Sequence, residues 1–425
     1  MVEKTKNPLT TKFEKEYFPC AKEWWCIVGY LNSIKGNNKW SYKVDFLQIM
    51  KKNKFPWSYY SLTLFDINKN KSYFYSSEKD NLKMKTKNDN FFIQYDKSFL
   101  KGSYPEYQMY LDDKKNNISL DLKINVKSNP YWVAQKITDG CLPWGLGYFR
   151  YGYIPKNDIN GSIDIDNKKT TVKGKGYFEH VWGDFSFFDV LPSQRSIIKS
   201  FLIYAKLIGR WICNQESKIP NSIILSTDNR PMGYDWIWAI LDNDWSLFFG
   251  NLMFWLAEGP ATGVLILTKD GRKYCEFSNI RFKYKKLKYL EKFDLYYPIE
   301  LEIIAKKDKE KIFFYIKNET DSIENFNEFT DQKNTLGLLV SQVPCKIEGY
   351  YQKDNKRINF RGVSKMESHR VVRTFGHTSL KFNYSFSKND FKIKSILDCH
   401  RFGKKIDLNI SFLPKLKFKI KINKF

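Results

Sequence analysis

The stretch Lys173–Asp184, KGKGYFEHVWGD, contains the residue types in this chain that are best suited to proton transfer. If the stretch is a β-strand, its side chains alternate between two faces. One face carries an imidazole between two aromatic rings, from Phe178, His180 and Trp182. The other face carries Tyr177, Glu179 and Val181. A proton-transfer group beside a π surface suits the stabilisation of a positively charged hydrocarbon intermediate.

The candidate catalytic residues are therefore His180, its neighbour Glu179 and, later in the chain, Asp235. Glu179 is the nearest carboxylate, but the pleating of a strand turns it away from His180. Asp235 fits a turn or cap residue equally well. The stretch also fits a core strand whose histidine has a hydrogen-bond partner inside the protein, so a purely structural role stays open.

The length and composition of the chain bound its architecture. Its 425 residues exceed one typical core and predict two or three domains. Hydrophobic residues make up 42% and aromatic residues 17%, so a large core can form and disorder is not expected. The 34 Phe and 27 Tyr residues, against 14 Pro and 22 Gly, favour strands.

The formal net charge of +25 permits an anionic partner, such as a lipid surface or a nucleic acid. The lysines mostly alternate with apolar residues, and the sequence has no helix-turn-helix, zinc-finger or RNP-like signature. This pattern favours solvated strand faces, and we expect no nucleic-acid partner.

Metal and cofactor chemistry have no sequence signature in this chain. The four histidines form no HExxH motif and no Cys/His cluster, so we expect no metal site. There is no GxSxG motif, Gly-rich phosphate loop or Rossmann fingerprint, so we expect no organic cofactor. The start, MVEKTKNPLTTK, lacks an apolar signal-peptide core, and we expect a soluble protein of the cytoplasm.

Strand patterns dominate the first half of the chain. Five apolar residues alternate with polar ones between Ile118 and Val126, which is typical of a half-buried strand. From Trp24 to Trp182 we count about eight such strands and no convincing helix. A run of this kind closes naturally into an antiparallel barrel or a strongly curved sheet.

The stretch Ser196–Cys213 breaks this pattern, because its apolar residues recur at helical spacing. Lys199, Lys206 and Arg210 lie elsewhere on the helical wheel and give the predicted helix a basic face. Such a helix can lie in the headgroup layer of an anionic membrane, which would place the protein at the membrane periphery. It can equally pack its apolar stripe on a sheet.

The second half of the chain resumes the strand pattern at Gly233–Trp238, and Glu258-Gly259-Pro260 is the predicted seam between domains. We expect a lead-in over 1–20, a first domain over 21–258 with a helical insertion at 196–213, and a second domain over 259–425. The stretch around Glu367 echoes the one around Glu179, since each glutamate comes five residues after a glycine. A duplicated domain would explain this echo.

Three motifs in this order resemble a known family: Glu23-Trp24-Trp25, GYFEHVWG at 176–183, and Gly233-Tyr234-Asp235-Trp236 followed by a turn at 242–244. Together they are similar to the AttH-type lipocalin-like family, which includes carotenoid 1,2-hydratases (hydroxyneurosporene synthases) and lipocalin-like fungal Diels–Alderases. The resemblance extends from Glu23 to Glu367. It implies an all-β fold of two lipocalin-like antiparallel β-barrel or curved-sheet domains, here with one inserted amphipathic helix.

The resemblance also implies an enzyme that needs no cofactor and acts on a large apolar substrate. The histidine and tryptophan implicated at the hydratase site match His180 and Trp182. The hydratases also place an acidic proton donor on a strand that here reads LFFGNL, at 247–252, with no carboxylate. This departure argues against hydration specifically.

These observations predict a pocket lined by aromatic side chains, namely Trp25, Tyr177, Phe178, Trp182, Tyr234, Trp236, Trp238 and Phe248. We expect proton-transfer chemistry on an isoprenoid or carotenoid-like substrate: hydration by a hydro-lyase, cyclisation or isomerisation. The alternative is a non-catalytic carrier of a hydrophobic ligand. The missing strand carboxylate favours the carrier, while the intact His-x-Trp step favours the enzyme.

Overall fold

Antiparallel strands form nearly all of the regular structure, which confirms the predicted all-β fold. The computed structural model describes residues 13–17, 20–50, 56–78, 82–87, 90–144, 146–184, 193–213, 222–226, 234–251, 256–261, 264–277, 279–319, 326–330, 337–372, 378–387, 390–399, 404–411 and 417–424.

The first sheet contains the strands of the N-terminal half. They are β1 (Lys22–Ser33), β2 (Lys39–Met50), β3 (Pro56–Asp66), β4 (Lys71–Glu78), β5 (Leu82–Lys87), β6 (Asn90–Tyr95), β7 (Ser98–Ser103), β8 (Glu106–Asp113), β9 (Ile118–Val126), β10 (Tyr131–Trp132), β11 (Cys141–Trp144), β12 (Gly147–Ile165) and β13 (Lys168–Asp184). Their order is β4-β3-β2-β1-β13-β12-β9-β8-β7-β6-β5, and β10 and β11 also pair with β12. The strand β13 therefore lies between β1 and β12.

The second sheet contains the later strands. They are β14 (Ser222–Ser226), β15 (Tyr234–Leu241), β16 (Ser246–Asn251), β17 (Leu256–Ala261), β18 (Val264–Thr268), β19 (Tyr274–Phe277), β20 (Asn279–Leu290), β21 (Leu295–Lys307), β22 (Glu310–Asn318), β23 (Phe326–Thr330), β24 (Gly337–Lys353), β25 (Lys356–Val372), β26 (Thr378–Ser387), β27 (Asp390–Cys399), β28 (Lys404–Ser411) and β29 (Lys417–Lys424). Their order is β19-β18-β16-β15-β25-β24-β22-β21-β20-β17-β14-β26-β27-β28-β29, and β23 pairs with β24. The strand β25 lies between β15 and β24.

The residues group into two compact units. Unit 1 comprises Met1–Leu207, Trp238–Leu247 and Leu267–Cys275, and unit 2 comprises Ile208–Ile237, Phe248–Ile266 and Glu276–Phe425. Each unit is thus assembled from separate stretches of chain. The single boundary predicted between residues 258 and 259 stays a prediction.

Alternation of apolar and polar residues positions the strands, as β9 illustrates. Its residues Ile118, Leu120, Leu122, Ile124 and Val126 are buried, with exposures between 0% and 6%. The polar residues between them are exposed or half-buried. Because one face of the strand is buried, a slip of one residue would place every apolar side chain in water.

Two long hairpins, β12–β13 and β24–β25, carry the residues of greatest chemical interest. The turn of the first hairpin is Asp166-Asn167, and both residues have positive φ, 53° and 62°. Two-residue hairpin turns of this kind match the natural twist of the flanking strands and favour Asn and Asp. Farther from the turn the register of β12 and β13 shifts between Ile154 and Asn157, and Gly152 of β12 then pairs with His180. On the other side of β13, Trp25 of β1 pairs with His180.

The glycines of β13 allow neighbouring strands to approach closely. A Cβ atom added at Gly174 would lie 1.9 Å from the Tyr30 carbonyl oxygen, and one at Gly183 would lie 2.3 Å from the Tyr148 carbonyl oxygen. No side chain fits at either position without a shift of the backbone.

Helix α1 (Gln135–Thr138) is short, the segment Glu291–Phe293 is a 3-10 turn, and helix α2 (Gln194–Cys213) is the predicted insertion. The hydroxyl oxygen of Ser193 accepts a hydrogen bond from the Ser196 backbone N–H, over 3.2 Å, and so caps the N-terminus of α2. The carboxylate of Asp184 accepts hydrogen bonds from the Ser193 and Ser196 hydroxyls, which places a negative charge at the positive end of the helix. None of the described helices has the length and hydrophobicity needed to cross a membrane.

Candidate functional site

His180 lies at the centre of the candidate site in unit 1. Both His180 and Glu23 are 0% exposed. Strand β13 supplies the histidine, and the adjacent strand β1 supplies the glutamate. Because both side chains are fully buried, bulk water does not contact them. The hydrogen bonds of the two side chains therefore determine where their protons lie.

The hydrogen bonds of His180 define a transferable proton. The Phe13 carbonyl oxygen can only accept, so Nδ1 of His180 donates to it, over 2.7 Å. Nε2 lies 2.9 Å from Oε1 of Glu23. This contact requires one further proton, either on Nε2 of an imidazolium beside a carboxylate or on Glu23 beside a neutral imidazole. In both arrangements the pair holds a proton that can be given up.

Indole rings surround the imidazole of His180. The Trp25 ring is stacked on it at a centroid distance of 4.8 Å, and the Trp182 ring is tilted against it at the same distance. Trp25 and Phe178 belong to the hydrophobic core of unit 1, and Trp182 packs against that core. This arrangement places π density on two sides of a proton-carrying group.

The segment Phe13–Tyr17 covers His180. The ring of Phe13 is 0% exposed and lies edge-on to Phe178 at 4.9 Å, while the Tyr17 ring stacks on Trp182 at 3.7 Å. The backbone N–H of Tyr17 donates to Oε1 of Glu23, over 2.8 Å. The segment therefore contacts both members of the proton-carrying pair.

Carboxylates hold this segment in place. Oε1 of Glu14 accepts hydrogen bonds from the Tyr107 hydroxyl and the Tyr104 backbone N–H, over 2.7 and 2.6 Å. Oε1 of Glu16 accepts one from the Gln48 side-chain amide over 3.3 Å. The sequence analysis placed these residues in a polar lead-in. The aromatic residues among the charges of KFEKEYF were the signal that it did not use.

Glu179 lies on the opposite face of β13, as the alternation predicts. Its carboxylate accepts hydrogen bonds from the Trp24 indole N–H over 3.0 Å, from the Tyr177 hydroxyl over 2.8 Å, and from the Tyr151 hydroxyl. Burial, followed by the neighbouring carboxylate, raises the pKa of Tyr177 well above its ordinary value. Tyr177 consequently stays protonated and acts as a donor to Glu179.

Asp235 belongs to unit 2, so the structure does not group it with His180. It is 1% exposed, and Oδ1 accepts hydrogen bonds from Arg370 and Ser368, each over 2.8 Å. Its other oxygen accepts a hydrogen bond from the Tyr284 hydroxyl. These contacts make Asp235 the acidic half of a buried ion pair.

A second glutamate–histidine pair lies on the other face of β25 in unit 2. Nε2 of His369 lies 2.5 Å from Oε1 of Glu367. The Tyr234 hydroxyl donates to Glu367 over 3.2 Å, and the Tyr234 ring stacks on His369 at 3.9 Å. The sequence analysis named Tyr234 as a pocket residue but did not identify His369 as its neighbour.

The remaining predicted pocket residues divide between the units. Trp238 belongs to unit 1, where its indole N–H donates to the Pro155 carbonyl over 3.0 Å and its ring lies 5.9 Å from that of Tyr177. Trp236 and Phe248 belong to unit 2 and pack edge-on at 6.2 Å. Within the described residues, no three His, Cys, Asp or Glu side chains are grouped so that they could hold a metal ion.

The sequence matches no protein-family model and no curated protein. Solved structures similar to the chain include the following two. A Nitrosomonas europaea protein described as an AttH is 13% identical with a TM-score of 0.56, covering 87% of this chain and 98% of its own. Kievitone hydratase from Nectria haematococca is 10% identical with a TM-score of 0.53, covering 82% of this chain and 88% of its own. The predicted likeness to the AttH-type lipocalin-like proteins is confirmed at the level of the fold.

Proposed function

We propose that the protein is a cofactor-independent enzyme that protonates a large apolar alkene, of isoprenoid type, inside unit 1. The observation that carries this proposal is the His180–Glu23 pair, a proton-holding pair enclosed by the indole rings of Trp25 and Trp182. One solved structure of this fold is named a hydratase, so the fold is compatible with the addition of water to a substrate.

The hydrogen bond between His180 and the Phe13 carbonyl indicates how the proton would be delivered. When the segment Phe13–Tyr17 withdraws, the Nδ1–H group faces the position that the carbonyl oxygen occupied. An alkene carbon placed there accepts the proton, its π electrons form the new C–H bond, and the adjacent carbon becomes a carbocation. The indole rings stabilise this cation, and the Glu23 carboxylate stabilises an imidazolium through Nε2.

The carbocation can then react in two ways. Water can add to it and return a proton to the imidazole, which gives a hydrated product. The carbocation can instead lose a neighbouring proton to the imidazole, which gives an isomer. If a second double bond of the substrate first attacks the carbocation, loss of a proton from the new cation gives a ring. Hydration, isomerisation and cyclisation all begin with protonation of the alkene. We therefore propose this class of reaction and not one particular product.

The side chains of the covering segment indicate the class of substrate. The Phe13 ring is fully buried between aromatic neighbours, and the Tyr17 ring stacks on Trp182. An apolar, unsaturated chain would make similar contacts in the space that these rings vacate. A charged or highly hydroxylated substrate would leave unpaired polar groups there.

The experiment is incubation of the purified protein with linear isoprenoid polyenes, followed by mass spectrometry. We expect hydrated or isomerised products with the native protein and none with His180→Gln, which keeps a polar side chain but cannot deliver a proton. His369→Gln is the matched control, because His369 is the other described buried histidine paired with a glutamate. Equal turnover by His180→Gln and the native protein would contradict the proposal.

A hydrophobic-ligand carrier is the second candidate. It is favoured by the strand β16 (Ser246–Asn251), SLFFGN, which carries no carboxylate. It is also favoured by the complete burial of His180. In the same experiment a carrier would retain the polyene unchanged through gel filtration, with the native protein and with His180→Gln alike.

A further inference from the structure

Among the side chains of helix α2 that the structure describes, the buried ones form one narrow stripe. The stripe consists of Ser196, Ser200, Ile203 and Leu207, whose exposures are 5%, 1%, 4% and 8%. Their spacing of four, three and four residues places them on one side of the helix. Two of these four residues are serines, so the buried face is not the most apolar face of the helix.

Three large apolar side chains on one face of α2 are exposed. Ile198, Phe201 and Leu202 are 63%, 60% and 59% exposed, although an amphipathic helix normally buries such residues. Their i, i+3, i+4 spacing brings the three side chains together in one patch. Single exposed hydrophobic residues are ordinary, but a contiguous patch on one helix face is typical of an interaction site.

A row of positive charge runs beside this patch. The helix contains Arg195, Lys199, Lys206 and Arg210 and no acidic residue. At 3.6 residues per turn these four cations form one row, between the exposed apolar residues and the buried stripe. The exposed patch is thus apolar and is bordered by cations, and the helix has no carboxylate. Such a face is complementary to a membrane surface, which has anionic headgroups above an apolar interior.

The four cations do not contribute equally to that row. The Lys199 ammonium lies 4.1 Å from the centre of the Tyr148 ring, and the Arg210 guanidinium lies 3.7 Å from the Glu276 carboxylate. Arg195 and Lys206 are exposed on the helix. The predicted basic face therefore presents its most accessible charges at Arg195 and Lys206.

We propose that α2 is a membrane-docking helix that binds an anionic phospholipid surface. Ile198, Phe201 and Leu202 enter the boundary between headgroups and acyl chains, while Arg195 and Lys206 contact the lipid phosphates. The formal net charge of +25 draws the protein toward such a surface. This contact is independent of the proposed reaction, because none of these residues belongs to the His180 site.

A second copy of the chain is a poorer occupant of the patch. A two-fold symmetric contact places the same surface patch on both sides of the interface. The cation rows of two α2 helices would then lie close together without an acidic residue of either helix between them. Anionic lipid provides the opposite charge that this arrangement lacks.

The test is flotation of the protein with phosphatidylcholine vesicles that contain or lack phosphatidylglycerol. We expect binding only with phosphatidylglycerol present, weakened by added salt. Replacing Ile198, Phe201 and Leu202 together with serine should abolish binding, while Ile34→Ser, a matched control at a residue 54% exposed, should not. Equal binding to both vesicle types would overturn the proposal.

The charges are tested separately from the apolar patch. Arg195→Gln combined with Lys206→Gln should weaken binding roughly 25-fold, because each basic residue near an anionic surface contributes about fivefold. The control is Lys168→Gln with Lys169→Gln, which removes the same charge at exposed positions of β13. Equal loss in both pairs would show that only net charge matters and would overturn a role for this helix. A change of oligomeric state in the serine triple variant, without loss of vesicle binding, would assign the patch to a second copy.

Discussion

The strands β13 and β25 each pair a basic side chain with a buried carboxylate of the neighbouring strand, but the basic residue differs. Each has 17 residues, forms the second strand of a long hairpin and lies beside a strand that supplies a buried carboxylate. In unit 1 that carboxylate is Glu23 and its partner is His180. In unit 2 it is Asp235 and its partner is Arg370. An imidazolium can release its proton near neutral pH, whereas a guanidinium keeps its proton.

On the opposite faces of the same two strands, it is β25 and not β13 that pairs a carboxylate with a histidine. The twelfth residue of each strand is a buried glutamate, Glu179 in β13 and Glu367 in β25. Glu179 accepts hydrogen bonds from tyrosine hydroxyls and an indole N–H, whereas Glu367 lies beside His369. Each strand thus combines one pair that contains a histidine with one cluster that does not.

This comparison separates stabilising ion pairs from candidate proton donors. Both kinds are buried and both join a carboxylate to a basic group, so burial and charge alone do not distinguish them. The identity of the basic group does, because an imidazole is a general acid and base in proteins, whereas a guanidinium keeps its proton. The pairing of Asp235 with Arg370 favours a structural role, and the catalytic role of Asp235 stays a prediction.

The largest expected effect comes from breaking the ion pair of unit 2. Asp235→Asn removes the negative charge 2.8 Å from the Arg370 guanidinium, which is 3% exposed, and should cost about 3–5 kcal/mol of unfolding free energy. Glu23→Gln should cost less, about 1–3 kcal/mol, because the new amide can still form a hydrogen bond with an imidazole ring. Urea unfolding of both variants measures the difference. Equal losses would mean that the two pairs are equivalent.

Opening the segment over His180 should have the next largest effect. Phe13→Ala removes a fully buried ring and should cost about 3 kcal/mol. It should also increase the affinity for an apolar fluorescent probe, since the space beside Phe178 becomes available. Fluorescence titration measures this affinity, with Phe99→Ala, a half-buried position, as control. Unchanged probe binding in Phe13→Ala would show that the segment does not cover a ligand site.

The two glutamate clusters should differ more modestly. Glu179→Gln places an amide among Trp24, Tyr151 and Tyr177, and the indole N–H can only donate. We expect a loss of about 1–3 kcal/mol for this variant. Glu367→Gln should lose less, because a neutral imidazole can accept a hydrogen bond from the new amide. Thermal unfolding compares the two variants, and a larger loss for Glu367→Gln would contradict this reading.

The smallest effect is expected at Asp244, in the turn between β15 and β16. Burial alone would raise the pKa of Asp244, but hydrogen bonds from Lys156 and Lys175 outweigh it and lower that pKa. A carboxylate with a lowered folded-state pKa stabilises the protein above its unfolded pKa, and the contribution disappears as pH falls through the folded value. The side chain of Asp244 is 58% exposed, so Asp244→Asn should cost at most about 1 kcal/mol at pH 7.

The pH dependence provides the check for Asp244. The difference in unfolding free energy between Asp244→Asn and the native protein should be full above the pKa of the free side chain, 3.8, and should decrease as the pH falls below that value through the lower folded-state pKa. A difference that stays the same from pH 7 down into the acid range would indicate that the substitution acts through the turn conformation instead. The φ of 61° at this position is one that asparagine also tolerates.

The local features of the fold could be predicted from the sequence. Alternation at Ile118–Val126 fixed a strand and its buried face, and helical spacing located α2 to within two residues of its start. The faces of β13 also follow from pleating alone. These features depend on neighbours within a few residues, which is the range that periodicity reports.

The partners at the site could not be predicted in the same way. His180 meets Glu23 and Phe13 across separations of 157 and 167 residues, and Asp235 meets Arg370 across 135. Periodicity carries no information about such pairings. Phe13 and Tyr17 fall within the predicted lead-in, and only the tertiary structure places them over the histidine.

The most direct test of the central claim is deuterium incorporation in D₂O. If the His180–Glu23 pair delivers a proton to an alkene carbon, the native protein should convert a linear isoprenoid polyene to a product with a deuterium on carbon. His180→Gln should give no such product, and His369→Gln should give the native result. A deuterium-labelled product from His180→Gln at the native rate would contradict the account.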